Sequence, residues 1–178
     1  MVAKSSSNDV IRGDLGSTLD GYLTRVTDFG FWGTVLVANN NQIILHKGYG
    51  FANVSTRIRN TIQTAYDIGS ISKQFTVAAI LQLEERGFLT TDDPISSFFD
   101  APADKTSITI HHLLTHTSGL PRFYGGDFDY YEQSDYIRGV FNSKLLTKPG
   151  KAFNYSNPGY SLLAIIIEKL SGQEYRDY

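Results

Sequence analysis

The stretch Ser70-Ile71-Ser72-Lys73-Gln74-Phe75-Thr76-Val77-Ala78-Ala79-Ile80-Leu81-Gln82-Leu83 opens on two hydroxyls and a lysine, then runs on as a largely apolar segment. Ile71, Phe75, Val77, Ala78, Ile80, Leu81 and Leu83 recur at helical spacing, which predicts a helix over residues 70–86 with a broad apolar face. Gly87 follows as its C-cap. This sets Ser70 at the positive end of the helix dipole, with Lys73 one turn later on the same face. A serine hydroxyl is a weak nucleophile until a base takes its proton. A lysine is that base only where burial or nearby positive charge makes its neutral form accessible, and Ile68, Ile71 and Phe75 are the neighbours expected to bury Lys73. About one such Ser–Lys spacing is expected by chance in a chain of this composition. A capping serine beside a solvated lysine is therefore the plain alternative.

Upstream, Leu15, Leu19, Tyr22, Leu23, Val26 and Phe29 predict an amphipathic helix over residues 14–29, ended by Gly30. Residues 31–38 then read as a strand that is apolar on both faces. Asn39-Asn40-Asn41 supplies turn residues that tolerate positive φ, and residues 42–51 read as the returning strand of a hairpin. Two strands are marginal alone and leave an apolar edge, and one helix cannot cover both faces. The sheet is therefore expected to be incomplete in this chain.

Downstream the pattern is helical. Asp92-Asp93-Pro94 restarts the chain, and Thr109 opens a short segment over residues 111–117 that stops at Ser118-Gly119-Leu120-Pro121. Residues 122–135 form a loop rich in Gly, Asp and Tyr, expected to be a folded rim. Residues 160–170 are apolar almost all round and predict a buried helix, ended by Ser171-Gly172.

The chain has 178 residues, 41% of them hydrophobic and 19% charged, with a net charge of −2. That size suits one domain with a sizeable core. Neither half carries a large charge excess and no basic stripe stands out, which argues against nucleic acid as a partner. The longest apolar run, residues 162–167, is far short of the roughly 20 residues that a membrane span needs. Residues 1–14 are polar and do not read as an intact signal peptide. The absence of cysteine excludes disulfides, thiolate metal sites and a cysteine nucleophile.

A second constellation, Tyr155-Ser156-Asn157, precedes the buried helix. In an extended turn the Tyr and Asn side chains point to one side. The phenol can relay a proton, and the amide can hold Lys73 or a substrate amide. An Asn-Pro turn with a packed tyrosine accounts for the same residues.

Three stretches occur in order: Tyr66-Asp67-Ile68-Gly69-Ser70-Ile71-Ser72-Lys73-Gln74-Phe75-Thr76, Leu113-Leu114-Thr115-His116-Thr117-Ser118-Gly119-Leu120, and Pro149-Gly150-Lys151-Ala152-Phe153-Asn154-Tyr155-Ser156-Asn157. Together they resemble the serine β-lactamase and penicillin-binding-protein superfamily, in its class C β-lactamase-like branch. That branch includes D-Ala-D-Ala carboxypeptidases, D-aminopeptidases and β-lactamase-like esterases. The resemblance runs from about residue 15 to residue 178, and the hairpin over residues 33–50 resembles the family's first two strands.

The resemblance implies an α/β fold of the α+β type: an antiparallel sheet flanked by helices, with an inserted all-helical lobe and the active site between lobe and sheet. Residues 1–60 would hold the N-terminal helix and first two strands, residues 61–170 the helical lobe, and residues 171–178 the start of the return to the sheet. It also implies that Ser70 is acylated, that Lys73 assists proton removal, that Tyr155 acts as general base or protonates the leaving group, and that Asn157 orients Lys73 and the substrate. No metal or organic cofactor is implied. The expected function is a serine hydrolase working through an acyl-enzyme on D-Ala-type peptides, β-lactams or small esters, with a peptidase or esterase favoured over a dedicated β-lactamase. The alternative is a non-catalytic penicillin-binding-like sensor or scaffold, or an inactive N-terminal fragment that needs a C-terminal complement. Family members carry a further Lys-Thr-Gly or His-x-Gly element after the Tyr-x-Asn motif, and this sequence has none. The chain is accordingly expected to be an N-terminal portion, with a second chain or symmetry mate supplying the remaining strands. By resemblance the location is periplasmic or secreted.

Other polar groups read as structural. His112 and His116 lie four apart but have no third metal ligand nearby, and residues 116–119 read as a turn beside the site. Glu84-Glu85-Arg86 reads as a solvated helix end. Asp127, Asp129 and Asp135 read as a polar surface loop, with a substrate rim as the alternative.

Overall fold

The computed structural model describes residues 8–126 and 129–178. Asp127, one of the acidic rim candidates, lies outside the described residues. The chain divides into two compact units, with the boundary between Asp67 and Ile68.

The first unit runs β1 (Val10–Ile11), α1 (Gly13–Val26) with a 3-10 turn over Thr27–Phe29, β2 (Gly33–Asn39), β3 (Gln42–Tyr49), β4 (Phe51–Asn53) and β5 (Ile58–Arg59). The first three strands form an antiparallel sheet in the order β1-β3-β2, and β4 pairs with β5 in a separate ribbon. The expected hairpin is β2–β3. Asn40 and Asn41 take φ of 47° and 60°, the left-handed pair whose twist matches that of the flanking strands. The returning strand does not continue to residue 51 as expected. Gly50, at φ +65°, breaks it, and Phe51 starts the short ribbon. The sequence reading also missed β1, two residues that pair with His46 and Leu45 of β3.

Helix α1 lies on β3 because Gly16 lets the backbones approach; a Cβ at this position would fall 2.5 Å from the Ile44 carbonyl oxygen. Beside it, Asp20 Oδ1 accepts hydrogen bonds from Lys47 Nζ at 2.7 Å and Tyr49 Oη at 2.8 Å, tying helix to strand. Burial opposes the Asp20 charge, but the bonds from Lys47 and Tyr49 outweigh it and hold the carboxyl below its usual range. Leu45 and Tyr49 are buried, whereas Trp32, Leu36 and Ile43 remain exposed. Among the described residues β2 pairs only with β3, so the sheet is open along its β2 edge. The fold class is thus the expected mixed α/β, with a small, open antiparallel sheet.

The second unit is helical: α2 (Lys73–Glu85), α3 (Ile110–Leu114), α4 (Gln133–Asn142) and α5 (Asn157–Ser171). Its core forms where Ile80 and Leu83 of α2, Leu113 of α3 and Val140 of α4 meet Leu163 and Ile166 of α5. Helix α5 is the buried helix expected from residues 160–170, with an earlier start. Ser156 caps it by accepting from the Gly159 N–H at 3.1 Å, Pro158 occupies the first turn, and Gly172 at φ 72° ends it. Helix α4 had no counterpart in the sequence reading, which took its first three residues as loop. Glu84 is more than a solvated helix end, because its Oε1 accepts from the Thr91 N–H at 2.6 Å and fixes the turn after α2.

Candidate active site

Ser70, Lys73, Tyr155 and Asn157 all belong to the helical unit. Ser70 does not begin an α-helix as expected. It sits in a 3-10 turn over Gly69–Ser72 that runs directly into α2, whose first residue is Lys73. The tighter winding follows from local bonds of i,i+3 type: the Ile71 N–H to the Ile68 carbonyl at 3.0 Å, and Ser72 Oγ to the Gly69 carbonyl at 2.7 Å. Gly69 at φ +50° permits the entry. The turn leaves Ser70 exposed at the head of α2.

Two polar atoms converge on the Ser70 hydroxyl. Tyr155 Oη donates to Ser70 Oγ at 2.6 Å, and Lys73 Nζ donates to the same oxygen at 3.1 Å. The expected shielding of Lys73 by Ile68, Ile71 and Phe75 is not found, because these side chains are 47%, 59% and 62% exposed. Ile68 and Ile71 precede α2 and only Phe75 lies on it, and aromatic rings flank the lysine instead. Its Nζ lies 5.1 Å from the Tyr155 ring centre and 5.4 Å from that of Tyr160, within cation–π range of both. The hydrogen bond from Lys73 is the first cause that pulls the Tyr155 phenol below its ordinary range, followed by that to Ser70. The positive charges of Lys73 and Arg122 act in the same direction.

His116 supports this phenol. Its ring lies 4.3 Å from that of Tyr155 and 4.9 Å from that of Tyr160, with Phe153 edge-on at 5.8 Å. Its Nδ1 accepts from the Ser156 N–H at 3.2 Å, and its carbonyl accepts from the Asn154 N–H at 2.7 Å. Burial, and then the Lys73 charge, push its pKa below the usual histidine value. His116 is thus a neutral spacer that fixes the tyrosine motif at both ends, a larger part than the turn residue expected. His112 does something different. It completes a capping box on α3 with Thr109, each side chain accepting from the other's backbone N–H at 3.2 Å.

Asn157 is the first residue of α5, and its N–H bonds to the Arg122 carbonyl at 3.0 Å. Its Oδ1 is buried and has no hydrogen-bond partner among the described residues, so it does not hold Lys73 in this state. The sequence reading missed Tyr160 and Arg122. Tyr160 was legible only as part of an apolar helix, and Arg122 only as the residue after Ser118-Gly119-Leu120-Pro121. Arg122 stacks on the Tyr155 and Phe123 rings, with its guanidinium carbon 5.3 Å from each ring centre. Of the acidic rim, Asp135 pairs with Arg138 at 2.6 Å, and Asp129 accepts from Tyr131 Oη at 3.1 Å and the Gly126 N–H at 2.7 Å.

A helical unit that brings a lysine and a tyrosine onto one exposed serine places the chain among the relatives of serine hydrolases. Within that class it belongs to the Beta-lactamase family, whose sequence pattern matches residues 32–178. The protein PbpX of Bacillus subtilis (strain 168) is 34% identical over 176 residues, which cover 99% of this chain and 44% of PbpX. A penicillin-binding protein homologue from Pyrococcus abyssi, described as octameric, is similar in structure, with a TM-score of 0.74 and 32% identity over 93% of this chain and 41% of its own. FmtA from Staphylococcus aureus is similar with a TM-score of 0.83 and 27% identity, over 97% of this chain and 49% of its own. The chain thus spans less than half the length of each of these relatives. No helix among the described residues is long and apolar enough to cross a membrane.

Proposed function

We propose that this chain carries the nucleophile half of a serine hydrolase that forms an acyl-enzyme on Ser70. The observation that carries the reading is the convergence of Tyr155 Oη and Lys73 Nζ on Ser70 Oγ. At rest the phenol donates to the serine. Once ionised, with Lys73 beside it, Tyr155 takes the Ser70 proton as Oγ adds to a substrate carbonyl. The proton then passes to the leaving group as its bond to the acyl carbon breaks, leaving an ester on Ser70. Water hydrolyses that ester, releasing the acid and restoring the serine. The buried Oδ1 of Asn157, without a hydrogen-bond partner among the described residues, is suited to accept from a substrate amide or, after a small shift, from Lys73. D-Ala-type peptides, β-lactams and small esters are the substrate classes this reading includes.

The open β2 edge and the share of each relative that the chain spans support a second element of the same reading. A complementary segment or a second chain would complete the sheet and the oxyanion site. The test is labelling with a fluorescent penicillin and a fluorophosphonate, each with and without the C-terminal part of a relative. Label on the wild type that disappears in Ser70→Ala supports the acyl-enzyme. Absence of label under both conditions overturns it. Label on Ser70 without turnover of any peptide, β-lactam or ester substrate assigns the protein to the sensor or scaffold class.

A further inference from the structure

Arg122 stands apart from the other groups around Ser70, because its backbone is fixed and no acidic side chain among the described residues pairs with its charge. The Pro121 carbonyl accepts from Ser156 Oγ at 2.9 Å, and the Arg122 carbonyl accepts from the Asn157 N–H at 3.0 Å. The Tyr155-Ser156-Asn157 segment therefore holds the arginine in register with itself. The guanidinium is exposed and stacks on the Tyr155 and Phe123 rings. It forms no ion pair and donates no side-chain hydrogen bond among the described residues. Arg138, by contrast, is paired with Asp135, and Arg176 with Glu174. A guanidinium held over ring faces and exposed to solvent carries a planar N–H fork, the group that receives a carboxylate through two parallel bonds. Lys73 Nζ lies 5.1 Å from the same ring centre, so the phenol that contacts Ser70 has two cations beside it.

We propose that Arg122 is a specificity-determining residue that receives a carboxylate of the substrate beside Ser70, so that the site selects anionic over neutral acyl donors. This assignment rests on the acyl-enzyme reading for its place in catalysis and on the geometry of Arg122 for its chemistry. Its anchor lies within the chain itself, on the segment that also presents the phenol. A carboxylate bound there lies next to the group that exchanges protons with Ser70, so selection and proton transfer share one tyrosine ring.

The test uses the full chain and two alkyl fluorophosphonates that differ only in a terminal carboxylate or carboxamide. Each phosphonylates Ser70 Oγ with loss of fluoride. The wild type is expected to react about tenfold faster with the carboxylate probe, the scale of one charge-assisted hydrogen-bond pair. That ratio is expected to fall towards one in Arg122→Gln, to survive in part in Arg122→Lys, and to shrink in the wild type as salt is raised. An unchanged ratio in Arg122→Gln, with Ser70 still labelled, overturns the role of Arg122 and leaves the acyl-enzyme reading standing. If neither probe labels Ser70, with or without the C-terminal part of a relative, the acyl-enzyme reading falls, and binding decides the matter. Hippurate and hippuramide are then titrated by NMR into Ser70→Ala with and without Arg122→Gln. Tighter binding of hippurate that depends on Arg122 supports the anion site, and equal binding of the two overturns it.

Discussion

Tyr155 Oη donates to Ser70 Oγ across 2.6 Å, although 85 residues separate the two in sequence. The contact joins the turn before α2 to the turn before α5, so it exists only when the helical unit is folded. In Tyr155→Phe the ring, with its stacking on His116, is retained and only the oxygen is lost. Acylation of Ser70 is expected to slow by about 10²–10⁴-fold, the usual contribution of a positioned acid–base group. Stopped-flow labelling with a fluorescent penicillin or fluorophosphonate measures this, and circular dichroism should show an unchanged fold.

The same phenol predicts a pH profile. Lys73 stabilises the phenolate, and so the Tyr155 pKa lies below the ordinary value near 10. Acylation should therefore rise with pH and level off below that value. Lys73→Gln removes a positive charge and a hydrogen bond from the phenolate, so the rising limb should move to higher pH as well as the plateau falling. Ser70 acylation rates collected between pH 6 and 11 test the direction of the shift. An unmoved limb would separate Lys73 from the ionisation of Tyr155.

Much of the scaffold was legible because local chemistry specified it. The Asn40-Asn41 turn needed residues that accept positive φ, and the sequence supplies them. The burial of α5 followed from an apolar surface with nowhere to face but inward. Ser70, Lys73 and Tyr155 were legible by pattern, but their meeting depends on tertiary packing that no window of sequence contains. The shielding of Lys73 was misread for a related reason. Ile71 and Phe75 share its helical turn, yet hydrophobicity does not say which apolar face of α2 is covered within the unit. Tyr160 and Arg122 act through ring faces, and stacking partners distant in sequence leave no periodic signal. Strand β1, two residues long, is shorter than any alternation that could announce it.

Gly119 tests the packing beneath the site. It adopts φ +78°, and a Cβ there would lie 2.1 Å from the Thr147 carbonyl oxygen. Its own carbonyl accepts from the Leu146 N–H at 2.8 Å, so the loop cannot withdraw without losing that bond. Gly119→Ala combines left-handed strain with a backbone collision and is expected to cost about 2–4 kcal/mol. Denaturant titration followed by near-UV circular dichroism reads the loss. A change below about 0.5 kcal/mol, the scatter of ordinary surface substitutions, would show that the loop relaxes freely.

His116 couples stability to pH with a definite sign. Its folded pKa lies below 6.5 because burial and the Lys73 charge both disfavour the imidazolium, whereas the unfolded chain titrates near the ordinary histidine value. Between those two pKa values the unfolded state binds more protons, so stability rises with pH there. The contribution is complete above the unfolded pKa and is lost as pH falls towards the folded one. Protonation would also place a proton on Nδ1, which accepts from the Ser156 N–H, and so break the bond that fixes the tyrosine motif. Asparagine tolerates the φ of 56° found at this position and does not titrate, which makes His116→Asn the informative variant. Thermal melts between pH 5 and 8 should show the wild type losing stability below about pH 6.5 and the variant losing less over the same interval. The variant should be less stable than wild type at pH 8, because the ring contacts with Tyr155 and Tyr160 are gone. Equal pH slopes in the two proteins would assign the acid sensitivity to another group.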